Sequence, residues 1–77
     1  PNPVTDVAYI DYRIHNEAVK AKIVIHNILG RSMSENELSY FETRAKIQAD
    51  ELAAGIYFYT LYLDNDGVLT RKLIVRK

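Results

Sequence analysis

The stretch "GIYFYTLYLDNDGVLTRKLIVRK", Gly55 to Lys77, constrains the fold more than any other part of the chain. Two runs rich in aromatic and β-branched residues flank "DNDG", in which Asn65, Asp66 and Gly67 tolerate the positive φ angles of a tight hairpin turn. Two strands joined by such a turn must lie antiparallel. Their two-residue period then sorts the side chains by face: Tyr57, Tyr59, Leu61 and Leu63 are expected to point inward on the first strand, with Leu69, Leu73 and Val75 on the core side of the second.

Two earlier stretches carry the same period. After "PNPVTD", whose prolines disfavour helix, "VAYIDYRI" sets Ala8, Ile10, Tyr12 and Ile14 on one face, with Asp11 and Arg13 among those on the other. In "AKIVIHNILG", Ile23 and Ile25 alternate with Lys22, Val24 and His26, and Gly30 permits a turn. The segment from Ser34 to Gly55 admits two readings. Ser34 and Glu37 have capping-box spacing, Leu38, Phe41, Ala45, Ala49 and Leu52 recur near the helical period, and Gly55 can stop a helix. Phe41, Thr43, Ala45, Ile47 and Ala49 also alternate with Glu42, Arg44, Lys46 and Gln48 as a strand would require. On residue pattern alone, helix leads slightly.

A chain of 77 residues, nearly half apolar and with ten acids balancing ten bases, implies one ordered domain. Its core is thin: a domain this small buries only about 60% of its unfolded surface and gains roughly 3–5 kcal/mol net. Zero net charge argues against a nucleic-acid or acidic-membrane binder. One local exception is Val68–Lys77, which holds Arg71, Lys72, Arg76 and Lys77 and no acid. With no cysteine, disulfides, thiolate catalysis and cysteine-ligated zinc are excluded. No apolar run approaches the roughly 18–20 residues of a membrane-spanning helix, and a chain opening on Pro1 without methionine is expected to be a piece of a longer protein.

Chemistry-bearing constellations are sparse. His15 and His26 lack a second histidine or carboxylate at ligand spacing on the same face, so each reads as an exposed strand or loop residue. Asp64, Asp66 and Gly67 match the third, fifth and sixth positions of a calcium loop, but Tyr62 and Leu73 would occupy its first and last ligand positions. Ser32, Ser34 and Ser39 lie outside any Gly-rich elbow, and the adjacent carboxylates of Asp50 and Glu51 point apart on a surface turn. Neither an enzyme nor a bound cofactor is expected. Tyr57, Tyr59 and Tyr62, with arginines nearby, have the makings of a base-stacking platform, but strand core is the favoured reading, because the spacing is what a buried face requires and the total charge is zero.

Four blocks taken in order, "PNPVTDV", "IVIHNILGR", "ADELAAGIYFYTL" and "RKLIVRK", resemble the type A carboxy-terminal sorting domain of type IX secretion cargo in Bacteroidetes. The likeness spans essentially residues 1–77 and rests on the order and spacing of blocks that are individually weak. It implies an all-β fold, a small immunoglobulin-like β-sandwich of about seven short antiparallel strands, and it places "AKIQADEL" on a strand ending in a short turn rather than on a helix. Pro1 and Pro3 match the family's proline pair, Gly30 its first turn glycine, and Leu52, Gly55 and Tyr57 its leucine-glycine-tyrosine block. The final block, Lys72, Leu73, Ile74, Val75, Arg76 and Lys77, corresponds to the part most directly used in sorting. Asn27 stands where the family often has aspartate and Ala54 where it often has proline, both conservative at turns.

By the same resemblance the chain is the last domain of a larger secreted protein, with a cargo domain on its amino-terminal side. The implied route runs through the periplasm and the outer-membrane translocon to the cell surface, where a sortase-like peptidase removes the domain. The cleavage site would lie upstream of Pro1. In physical terms the last strand would present its basic side chains and an open backbone edge to the translocon, and edge strands are also compatible with a homodimer, including strand exchange. No small-molecule substrate and no nucleic-acid partner are expected. The alternative is a carbohydrate- or protein-binding β-sandwich module of a secreted enzyme, with exposed tyrosines as the contact surface.

Overall fold

The structure, a computed structural model, describes residues 3–77, so Pro1 lies outside the described residues. It holds six strands: β1 (Val7–Asp11), β2 (Ala21–Asn27), β3 (Ser32–Leu38), β4 (Arg44–Gln48), β5 (Gly55–Leu63) and β6 (Asp66–Val75). They form two antiparallel sheets, one of order β3-β2-β5-β6 and a smaller one pairing β1 with β4. The all-β sandwich expectation holds, with six strands where about seven were implied; Val4 adds a single parallel bridge to Val75 rather than a strand.

The sheets meet through one cluster. Ile23 and Ile25 from β2, Tyr57 from β5, and Leu73 and Val75 from β6 pack with Val4, Ala8, Ile47, Ala49 and Leu52 from the side of the smaller sheet. Ile23, Ile25 and Ile47 are the largest fully buried side chains, and their β-branched shape suits a pleated surface. Of the inward positions read from sequence, Ala8, Ile23, Ile25, Tyr57, Leu73 and Val75 belong to this cluster, and Ile10, Tyr59 and Leu61 pack against it.

The segment from Ser34 to Gly55 corrects the helical reading. Ser34, Glu35, Asn36, Glu37 and Leu38 pair with Ile25, Val24, Ile23, Lys22 and Ala21, so the capping-box letters serve a ladder instead. Lys22 Nζ lies 2.9 Å from Glu35 Oε1 across it. Phe41, expected on an apolar face in either reading, is 78% exposed in the connection between β3 and β4. A helix here would leave β2 without a partner on that side, its N–H and C=O groups facing no ladder. Tyr12 fastens the connection: its hydroxyl donates to Ser39 O at 2.9 Å and accepts from Ser39 N at 3.1 Å.

Two further corrections concern the final hairpin. The residues with positive φ are Asp64 (49°) and Asn65 (71°), flanked by the pair Leu63 and Asp66. This is a two-residue turn of the kind whose twist matches the strands; Gly67 lies instead at the irregularity beside Tyr62, where a Cβ would come within 3.3 Å of Thr60 Cγ2. Asp64 also accepts from Lys20 N at 3.0 Å and donates its own N–H to Lys20 O at 2.8 Å, docking the turn to the start of β2. Leu69, expected in the core, is 37% exposed, because it pairs with Leu61 at the end of the hairpin away from Val75, where burial on β6 falls off.

On the exposed outer ladder, Asp11 and Arg44 are directly opposed, with Nε 2.8 Å from Oδ1. The hydrogen bond from Arg44, reinforced by its charge, holds the Asp11 carboxyl below its ordinary value and raises Arg44 in return. A lowered folded-state value means that stability from this pair is present above the unfolded carboxylate range and is lost as pH falls through the folded value. Replacing Arg44 with Gln should move the Asp11 titration upward by NMR and flatten that acid-side loss. Ile23→Ala should cost about 2–5 kcal/mol in urea unfolding, enough to leave much of so small a domain unfolded.

Candidate recognition site on the last strand

Side chains of β6 divide sharply by face. Leu73 and Val75 are 3% and 2% exposed and belong to the core, whereas Lys72 and Arg76 are exposed and Ile74 is half-buried. Lys72 pairs with Phe58 and Ile74 with Ile56, on the face of the sheet turned away from the core. Phe58 in turn opposes His26, so His26, Phe58 and Lys72 form one row across β2, β5 and β6.

That outward face has its own polar support. Thr60 is buried, and its hydroxyl lies 3.1 Å from His26 Nε2 and 3.0 Å from Thr70 Oγ1, which satisfies a hydroxyl that would otherwise be costly to bury. His26 stacks on Phe58 with ring centroids 5.9 Å apart. It is therefore half-buried and hydrogen-bonded, not the exposed residue the sequence suggests. Tyr57 and Tyr59 face the core cluster while Tyr62 lies on the opposite face, so a continuous three-tyrosine platform does not form. The Tyr57 hydroxyl donates to Ala53 O at 2.7 Å, closing the turn that holds Leu52 in the core.

The backbone edge of β6 is partly taken. Val4 N donates to Ile74 O and Arg76 N to Val4 O, each at 2.8 Å, so Val4 lies parallel along the last residues of the strand. An open edge at Ile74–Arg76, expected from sequence, is thus corrected. Further back, Arg71 Nη1 lies 3.5 Å from Thr70 O, and a charged side chain on an outer strand discourages edge pairing.

Lys77 is placed unlike the other bases. Its Nζ donates to Asp50 O at 2.8 Å, Ala49 O at 3.2 Å and Thr5 O at 3.3 Å, matching the three protons of an ammonium to three carbonyls. The side chain clasps the turn after β4 and the segment before β1 at once. Sequence reasoning treats Lys77 as one more surface charge because carbonyl partners carry no residue-type signal.

Of the remaining motif positions, Gly30 has φ of 85° in the turn after β2, Pro3 is exposed, Leu52 is buried, and Gly55 opens β5 opposite Val75. Exposed rings of Tyr40 and Phe41, edge-to-face at 5.2 Å, line a cleft with Glu17, Lys20, Glu37 and Asn65 at the other end of the sheet. No signal in the sequence marks that cleft. Lys77→Met should lower stability by about 1–2 kcal/mol through its lost charge-assisted bonds, while Arg76→Ala should stay within about 0.5 kcal/mol; thermal and urea unfolding of the two variants checks the contrast.

Comparison with curated proteins and with solved structures returned no significant match. The profile of one family, described as the secretion system C-terminal sorting domain, matches residues 1–76. That match runs from the segment before Val4, through the turn at Gly30 and the buried Leu52 and Tyr57, to the divided face of β6, and the chain belongs to the type IX secretion C-terminal sorting domain family.

Proposed function

We propose that the chain is the last domain of a larger secreted protein and acts as a folded address, read by the outer-membrane type IX translocon through the outward side of β6. The observation that carries this reading is the division of the final block: Leu73 and Val75 hold the fold, and Lys72, Ile74 and Arg76 are displayed beside one another on its outside. Basic side chains so placed can steer an acidic receptor surface. Lys77 acts one step removed, by locking the strand's end to the body of the domain. Cargo passes through the periplasm, crosses the outer membrane, and loses the domain to a sortase-like peptidase at the surface. The domain itself performs no catalysis.

Removing Leu73–Lys77 would extract two core residues and the Lys77 clasp together, confounding recognition with folding. The decisive variant is Lys72→Glu with Arg76→Glu in a periplasmic reporter fusion expressed in a type IX-competent bacterium. Surface delivery should fall at least tenfold with the circular dichroism spectrum and melting temperature of the purified chain little changed. Undiminished delivery would overturn the reading. Processing is checked separately by comparing intact masses of periplasmic and surface forms.

The Tyr40 and Phe41 cleft favours a second reading, an accessory carbohydrate- or protein-binding module. Such a module stays on the mature protein, whereas a cleaved address is missing from it.

A further inference from the structure

The two hairpins of the larger sheet turn with opposite chemistry. Between β5 and β6 the turn residues are Asp64 and Asn65, polar as water requires. Between β2 and β3 the turn carries Ile28 and Leu29, which are 71% and 88% exposed and take no part in the core. Nothing in the backbone demands them. Asn27 alone organises the turn: its N–H donates to Arg31 O at 3.0 Å, its C=O accepts from Gly30 N at 2.9 Å, and its Oδ1 accepts from Leu29 N and Arg31 N, both at 3.0 Å. Gly30 supplies the positive φ. The side chains at Ile28 and Leu29 are thus not required by the core, yet they are two large aliphatic groups on an exposed tip braced by backbone and Asn27 hydrogen bonds.

The apolar character extends around the tip. Met33 follows the turn on β3 and is 44% exposed; Ile56, 47% exposed, is set by the register of Asn27 opposite Tyr57 at the same end of the sheet. Exposed Arg31 flanks them. We infer that the Asn27–Arg31 tip is a second recognition element of the sorting domain, inserting Ile28 and Leu29 into an apolar pocket of a protein of the secretion machinery. This rests on the sorting reading but not on the β6 contact. A protein pocket fits better than a lipid surface: the tip bears no aromatic ring and one base, whereas interfacial anchors combine aromatic rings with clustered bases. The hydrogen bonds that brace the turn favour a shaped pocket too, because a braced turn loses little entropy on docking.

The test uses the full chain as a reporter fusion in a type IX-competent bacterium, at expression low enough for capture to limit delivery. Ile28→Ser with Leu29→Ser should reduce surface delivery at least about tenfold, the effect of withdrawing two aliphatic side chains from a buried site. The shape-conserving pair Ile28→Val with Leu29→Met should retain most of it. Both variants alter exposed residues, so the purified chains should melt within a few degrees of the parent. Equal delivery of the serine variant and the parent would overturn the inference while leaving the sorting reading standing. Failure of the parent fusion itself to reach the surface would overturn both. Two results would redirect the partner and so overturn the pocket: co-flotation of the parent chain, lost in the serine variant, with 3:1 phosphatidylethanolamine–phosphatidylglycerol vesicles, or concentration-dependent self-association by sedimentation that the serine pair abolishes.

Discussion

A two-stranded sheet laid over a four-stranded one cannot cover it, and much of this domain follows from that mismatch. Where β1 and β4 lie, Ile23, Ile25, Tyr57, Leu73 and Val75 meet Ala8, Ile47 and Ala49 and lose nearly all contact with water. Toward the Asp64–Asn65 turn the inward face of the hairpin is only partly covered, and Leu69 stands more than a third exposed although its face is the core face. The packed end is also the end that gathers the segment before β1, the turn after β4 and the last residues of β6. Val4 and Lys77 tie these together by backbone bonds and by an ammonium set among carbonyls.

Under the proposed function, that arrangement lets the final block serve two purposes through one strand. Alternate side chains are withdrawn into the core while their neighbours stay outside, so under the proposed reading recognition and stability would use alternating residues of one run on opposite faces. A thin core leaves little margin for separating the two tasks experimentally by deletion. Substitution on the outward side keeps Leu73, Val75 and Lys77 in place and isolates the surface.

Much of the fold was legible as period. The strand faces of "AKIVIHN", "GIYFYTL" and the end of "RKLIV", and the glycine turn after β2, follow from two-residue alternation and from the conformational freedom of glycine. The segment from Ser34 to Gly55 was not so legible, because small and apolar residues there satisfy helical and strand periods together, and pairing with an otherwise unpartnered β2 decided between them. The resemblance of the ordered blocks reached the strand reading where period alone leaned the other way.

For the candidate site, the sequence by itself determined which side chains of the last run share a face and that the run from Val68 to Lys77 holds four bases and no acid. It also set two aliphatic residues inside a turn. Only the tertiary structure decided that Lys77 is engaged by carbonyls from Thr5, Ala49 and Asp50, far from it in the chain. It likewise decided that Val4 occupies the strand edge beside Ile74 and that Leu69 stays partly in water. The physical reason is common to all three. Alternation is a property of neighbouring residues, whereas cover and hydrogen-bond partners are supplied by distant backbone whose arrival no local pattern encodes.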